Sequence, residues 1–96
     1  MLSSTAITTQ LKAIKADLFA RYPLRRLGVF GSVARGGATD TSDVDILVEF
    51  SEPVGLEIAD LALELEAALG HNVDLVSRKA LQPRYWARIK HDVRYV

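Results

Sequence analysis

The chain has 96 residues, 49% of them hydrophobic and 25% charged, which fits one ordinary folded domain over residues 1–96 and excludes a disordered chain. It has no cysteine, which excludes disulfides, thiolate metal sites and cysteine nucleophiles. No apolar run approaches the ~20 residues of a membrane helix, and Met1-Leu2-Ser3-Ser4-Thr5 lacks the basic start of a signal peptide, so a cytoplasmic protein is expected.

The formal net charge is zero, but the charge is unevenly spread. Residues 1–36 carry six Lys/Arg and one acid, residues 37–76 carry ten acids and no Lys or Arg, and residues 77–96 carry six Lys/Arg and one acid. So acidic a middle is unlike a nucleic-acid groove, and no direct nucleic-acid binding is expected. It suits a cation site. Glu57, Asp60, Glu64 and Glu66 fall at helical spacing and read as a solvated helix face.

In chain order, residues 4–22 predict an amphipathic helix capped by Ser4 or Thr5, with Ile7, Leu11, Ile14 and Leu18 on its apolar face, stopped by Pro23. Leu27-Gly28-Val29-Phe30 predicts a short interior strand. Gly31-Ser32 ends it, Val33-Ala34-Arg35 allows one helical turn, and Gly36-Gly37 breaks that turn. Thr39 to Ser42 is a polar loop. Residues 44–50 predict the clearest strand, with Val44, Ile46, Val48 and Phe50 on one face and Asp45, Leu47 and Glu49, preceded by Asp43, on the other.

Leu56 to Leu69 predicts a second helix, ended by Gly70. Val73-Asp74-Leu75-Val76 predicts a third, buried strand. Pro83 opens a last helix to about Lys90. Val93 to Val96 reads equally as a short strand or a frayed end. The connection between the first two strands is too short for a parallel crossover of about ten to twelve residues, which favours an antiparallel or mixed sheet with helices packed on one face, an α+β or mixed α/β arrangement.

Asp43 and Asp45, at i and i+2, project to the same face about 6.5–7 Å apart along the chain. Two carboxylates so placed can share Mg²⁺, which takes oxygen ligands and leaves room for water and phosphate. Asp74 is an acid inside an apolar strand, where a lone charge is costly. If that strand neighbours the one at 44–50, Asp74 becomes a third carboxylate, and three acids on two metals suit in-line phosphoryl or nucleotidyl transfer. Singly, the three also read as a loop acid or cap, an exposed strand residue and a turn acid. Gly31 allows close approach of a phosphate to the backbone, and Ser32 offers a hydroxyl and an amide at a helical turn. Arg35 serves equally well as a phosphate contact or as a brace through a carboxylate.

Gly31-Ser32-x-x-Arg35-Gly36, then Ser42-Asp43-x-Asp45-x-x-Val48 and a later Asp74, resembles the nucleotidyltransferase fold of the DNA polymerase β superfamily, and most closely its minimal members, the MntA-type antitoxins. That resemblance implies that Gly31 and Ser32 hold the triphosphate of ATP, that Asp43, Asp45 and Asp74 hold Mg²⁺, and that Asp74 helps activate the acceptor hydroxyl. It also implies a partner, a helical HEPN-domain toxin onto whose tyrosine AMP is transferred. Ninety-six residues leave no room for an acceptor domain, so the acceptor is expected on a second molecule. The alternatives are a module that neutralises its partner by contact alone, and a transferase acting on a small molecule.

His71 beside Gly70 reads as a helix-end residue and His91 as a surface residue. Trp86, with Tyr85 and Ile89, reads as packing for the last helix, with base stacking as the sharper alternative. Arg78, Lys79, Arg84, Arg88 and Lys90 fit a partner surface or a solvated face equally well.

Overall fold

A computed structural model describes residues 3–37 and 43–96; the polar loop expected at Thr39 to Ser42 lies outside the described residues. Helix α1 spans Ser4–Arg21 and buries Ile7, Leu11 and Leu18. Its cap is Ser3, not Ser4 or Thr5: Ser3 is extended, and its Oγ accepts the Ala6 N–H at 3.2 Å. Strand β1 spans Leu24–Phe30, three residues longer at its start than its apolar run predicts. Arg25 and Arg26 are accommodated there because Glu49 lies across the ladder, 3.5 and 3.9 Å from their guanidinium nitrogens. The register shifts between Leu24 and Arg26.

The turn helix α2, Gly31–Arg35, follows directly, and strand β2, Val44–Phe50, returns antiparallel to β1 as the short connection requires. Helix α3, Glu57–Leu69, is a crossover that brings β3, Val73–Ser77, parallel to β2. A 3₁₀ turn at Arg78–Ala80 leads to helix α4, Pro83–Ile89. Arg94–Tyr95 is strand β4, paired antiparallel with β1, so the end of the chain is a strand rather than frayed. The order across the mixed sheet is β3-β2-β1-β4.

The sheet has two covered faces. Leu27 and Val29 of β1 and Val44, Ile46 and Val48 of β2 pack against α1 and α3 through Leu11, Leu18, Leu61 and Leu65. The expectation that the helices share one face fails for α4. Phe30 and Leu47, which alternation places on the opposite face, are also apolar, and Ile89 of α4 covers them. Trp86 and Val93 pack against this smaller cluster, in keeping with the packing role expected of Trp86, while Tyr85 is exposed. Gly28 lies where β4 crosses β1, and a Cβ there would stand 3.0 Å from the Arg94 carbonyl oxygen. α1 and α3 are tied at their outer surface, where Arg21 donates to Glu64 Oε2 at 3.1 Å and Tyr22 Oη donates to the same carboxylate. No described helix is long and apolar enough to cross a membrane.

Candidate active site

The site lies on the α4 side of the sheet, where β1 ends and β2 and β3 begin. The antiparallel ladder sets Phe30 opposite Asp45, and the parallel ladder sets Asp45 opposite Asp74. The condition placed on Asp74, that its strand lie beside β2, is therefore met. The burial expected of Asp74 is not. β3 is an edge strand and Asp74 is exposed, so burial puts no cost on its charge. Its neighbour across the ladder, rather than its apolar surroundings in sequence, gives it a place in the site.

Asp45 is half-buried and its carboxyl is held above the ordinary carboxylate range, first by burial and then by the charges of Asp74 and Asp43, with Arg35 opposing. All three predicted acids therefore act on one locus. Asp43, just before β2, is exposed. Among the described residues, no three acidic, histidine or cysteine side chains are grouped closely enough to hold a metal ion. Backbone register supplies the acids, and Asp43 and Asp74, being exposed, are free to change rotamer. The donor chemistry fits Mg²⁺: oxygen ligands only, with a half-buried carboxylate whose negative form a cation would favour.

Gly31 is shaped around Asp45. Its φ is +73°, a region that L side chains rarely occupy. A Cβ at this position would overlap Asp45 Oδ2 and stand 3.0 Å from its Cγ. The glycine is thus required twice, by backbone conformation and by the carboxylate seated against it. Ser32 follows at the start of α2, half-buried. Gly36, with φ +79°, ends the turn, and its N–H donates to the Val33 carbonyl at 3.1 Å.

These residues line an open cleft of about 550 Å³. Phe30, Gly31, Ser32, Arg35 and Asp45 form one wall, and Tyr85, Arg88, Ile89 and Asp92 form the other. The second wall was not legible as part of the site. It lies some fifty residues from the central motif, in a segment that reads as a basic surface. Arg35 Nη1 stands 3.5 Å from Asp92 Oδ2, which favours the bracing role over the phosphate contact. Arg94 Nε donates to the Ala34 carbonyl at 3.0 Å and ties β4 to the same turn.

Known proteins resemble this chain in sequence and fold. The nucleotidyltransferase domain family matches residues 11–96. The protein adenylyltransferase MntA of Thermococcus cleftensis is 43% identical over 97 residues, covering all of this chain and 98% of the relative. A provisionally named protein adenylyltransferase of Methanocaldococcus jannaschii is 37% identical over 100 residues, covering both chains in full. Among solved structures, a provisionally named minimal nucleotidyltransferase superposes with a TM-score of 0.82 at 37% identity, over 98% of this chain and 96% of that one. A toxin–antitoxin structure containing AMP-PNP has a TM-score of 0.64 at 31% identity, over 76% of this chain and 60% of that one. The fold is also shared, at a TM-score of 0.70 and 22% identity over 93% and 70% of the two chains, with a complex of tri-AMPylated HEPN toxin and MNT antitoxin from Shewanella oneidensis. With the acids, the glycine and the sheet order in place, the chain belongs to the nucleotidyltransferase domain family, in its minimal, MntA-type branch of protein adenylyltransferases.

Proposed function

We propose that this nucleotidyltransferase moves AMP from ATP onto a tyrosine of a HEPN-type toxin and so acts as its antitoxin. The observation that carries the reading is the register Asp45↔Asp74, with Asp43 two residues before Asp45 and Gly31 fitted against its carboxylate. The relatives support the acceptor class: one bears the name of a protein adenylyltransferase, and a structural neighbour is an antitoxin bound to an AMPylated toxin.

In this mechanism Asp43, Asp45 and Asp74 would hold Mg²⁺ through their carboxylate oxygens. Magnesium, when bound, supplies charge neutralisation on the phosphates and lowers the barrier to deprotonating the attacking oxygen. Gly31 and Ser32 receive the phosphates, since the glycine permits backbone approach and the serine offers Oγ and N–H. The tyrosine oxygen attacks the α-phosphorus, the bond from that phosphorus to the bridging oxygen breaks, and pyrophosphate leaves. Asp74, exposed at the sheet edge, takes up the phenolic proton. Placement on an open edge rather than in a closed pocket suits an acceptor that arrives on another protein.

The test is intact-mass spectrometry of the HEPN-type partner protein after incubation with this protein, ATP and Mg²⁺. Steps of one AMP are expected, and they should vanish with Asp43→Asn/Asp45→Asn. An unmodified partner that is nevertheless neutralised, by the double variant as by the native chain, would replace transfer with inhibition by contact.

A further inference from the structure

The cleft in front of Asp45 is walled on one side by residues the nucleotidyl-transfer motif does not include. α4 is anchored there rather than loosely apposed. Ile89 packs on Phe30 and Leu47, the Arg78 guanidinium stacks 4.2 Å from the centre of the Trp86 ring, and β4 pairs with β1 just beyond. The backbone on the cleft side of this helix is therefore held in a defined place.

Four charged side chains line the cleft: Asp45, Arg35, Asp92 and Arg88. Arg35 and Asp92 are 3.5 Å apart and form an ion pair. Asp45 belongs to the carboxylate group. Arg88 is exposed and has no ion-pair partner among the described residues. One uncommitted cation thus faces a cleft whose other end is acidic. A triphosphate together with three carboxylates carries more negative charge than two divalent cations offset, and the excess lies on the part of the nucleotide farthest from the acids. Guanidinium is the side chain best matched to phosphate oxygens, through paired, charge-assisted hydrogen bonds.

We propose that Arg88 clamps the terminal phosphates of the nucleoside triphosphate, so that the last helix, and not only the Gly31-Ser32 turn, selects a triphosphate over a monophosphate. This rests on the adenylyl-transfer reading above. The positioning pair Asp92–Arg35 keeps Arg35 off the phosphates and leaves that task to Arg88.

Binding of a non-hydrolysable ATP analogue and of AMP, each with Mg²⁺, is measured by calorimetry for the native protein, Arg88→Ala, Arg88→Lys and the exposed neighbour control Arg84→Ala, with thermal melts to confirm folding. Arg88→Ala should weaken the triphosphate analogue about 10- to 100-fold, as loss of a charge-assisted contact does, and change AMP affinity less than about threefold. Arg88→Lys should recover part of the loss, and Arg84→Ala should match the native protein. Equal weakening of analogue and AMP, or an Arg88→Ala variant indistinguishable from Arg84→Ala, overturns the assignment while leaving nucleotidyl transfer intact. A native protein that binds neither nucleotide overturns both.

Discussion

Substituting Gly31 by alanine separates the two demands placed on this residue. The backbone demand is general: an L residue in the left-handed region costs about 1–2 kcal/mol. By the usual scaling for a domain of this size, that lowers the thermal midpoint by roughly 4–16 °C. The second demand is local. Asp45 Cγ, 3.0 Å from the position of the new methyl, must retreat by ~0.5–1 Å to reach an ordinary carbon–carbon contact of about 3.5–4.0 Å. The clashing atoms belong to the end of the half-buried Asp45 side chain and not to backbone, so this shift costs little folding energy and a good deal of geometry. A misplacement of about 1 Å in a reacting constellation costs on the order of 100-fold in rate. Gly31→Ala is therefore expected to melt 4–16 °C lower and to transfer AMP about 100-fold more slowly. Gly36→Ala supplies the control. Its φ, +79°, carries the same backbone cost, but nothing lies within 4 Å of its Cβ position, so it should lose comparable stability and keep its rate. The assay is initial transfer rate by intact mass, beside a thermal melt. Equal rate losses in the two variants, or a Gly31→Ala variant with native rate, would refute the claim that the glycine exists to seat Asp45.

Three further predictions concern the scaffold. The Glu64 carboxyl is held below the usual glutamate range, first by the hydrogen bond from Arg21 and then by that from Tyr22. A depressed acid stabilises the folded state above its ordinary pKa, and that contribution is lost as pH falls through the folded-state value. The urea midpoint of Glu64→Gln should therefore lie below that of the native protein at pH 7, with the difference closing at acid pH; a pH-independent difference would assign the effect to packing. Leu65 is fully buried between α3 and the sheet, and Leu65→Ala should cost ~2–5 kcal/mol in urea unfolding. Leu63, 65% exposed on the same helix, should tolerate serine within about 0.5 kcal/mol, and a larger loss would mean that its face is covered.

What the chain encodes locally is the periodicity of α1, α3 and β2, because burial on one face imposes a spacing that can be read without knowing the partner. The same alternation put Asp43 and Asp45 on one side of β2, and the short connection at 31–43 already demanded an antiparallel return. The central site residues were legible for this reason: their geometry is set within fifteen positions of one another. Asp74 was a different matter. Its relevance hung on strand order, and only the parallel pairing of β3 with β2 set it opposite Asp45. The burial expected of Asp74 from its apolar neighbours is not met, since a short apolar strand can lie at a sheet edge as well as inside it.

Tertiary structure alone decided the rest. Arg88, Asp92 and Arg94 meet the Gly31–Arg35 turn across fifty to sixty positions, a distance over which spacing carries no information. Their side of the sheet followed from Phe30 and Leu47. Two apolar residues that alternation turns away from the main core must be covered, and the last helix is the element that covers them. By itself the sequence determined the residue types at the candidate site, two carboxylates at i and i+2 following a Gly-Ser turn. The fold determined that these residues sit in a cleft with a second wall from the last helix, because only long-range packing could bring the end of the chain back to its first strand.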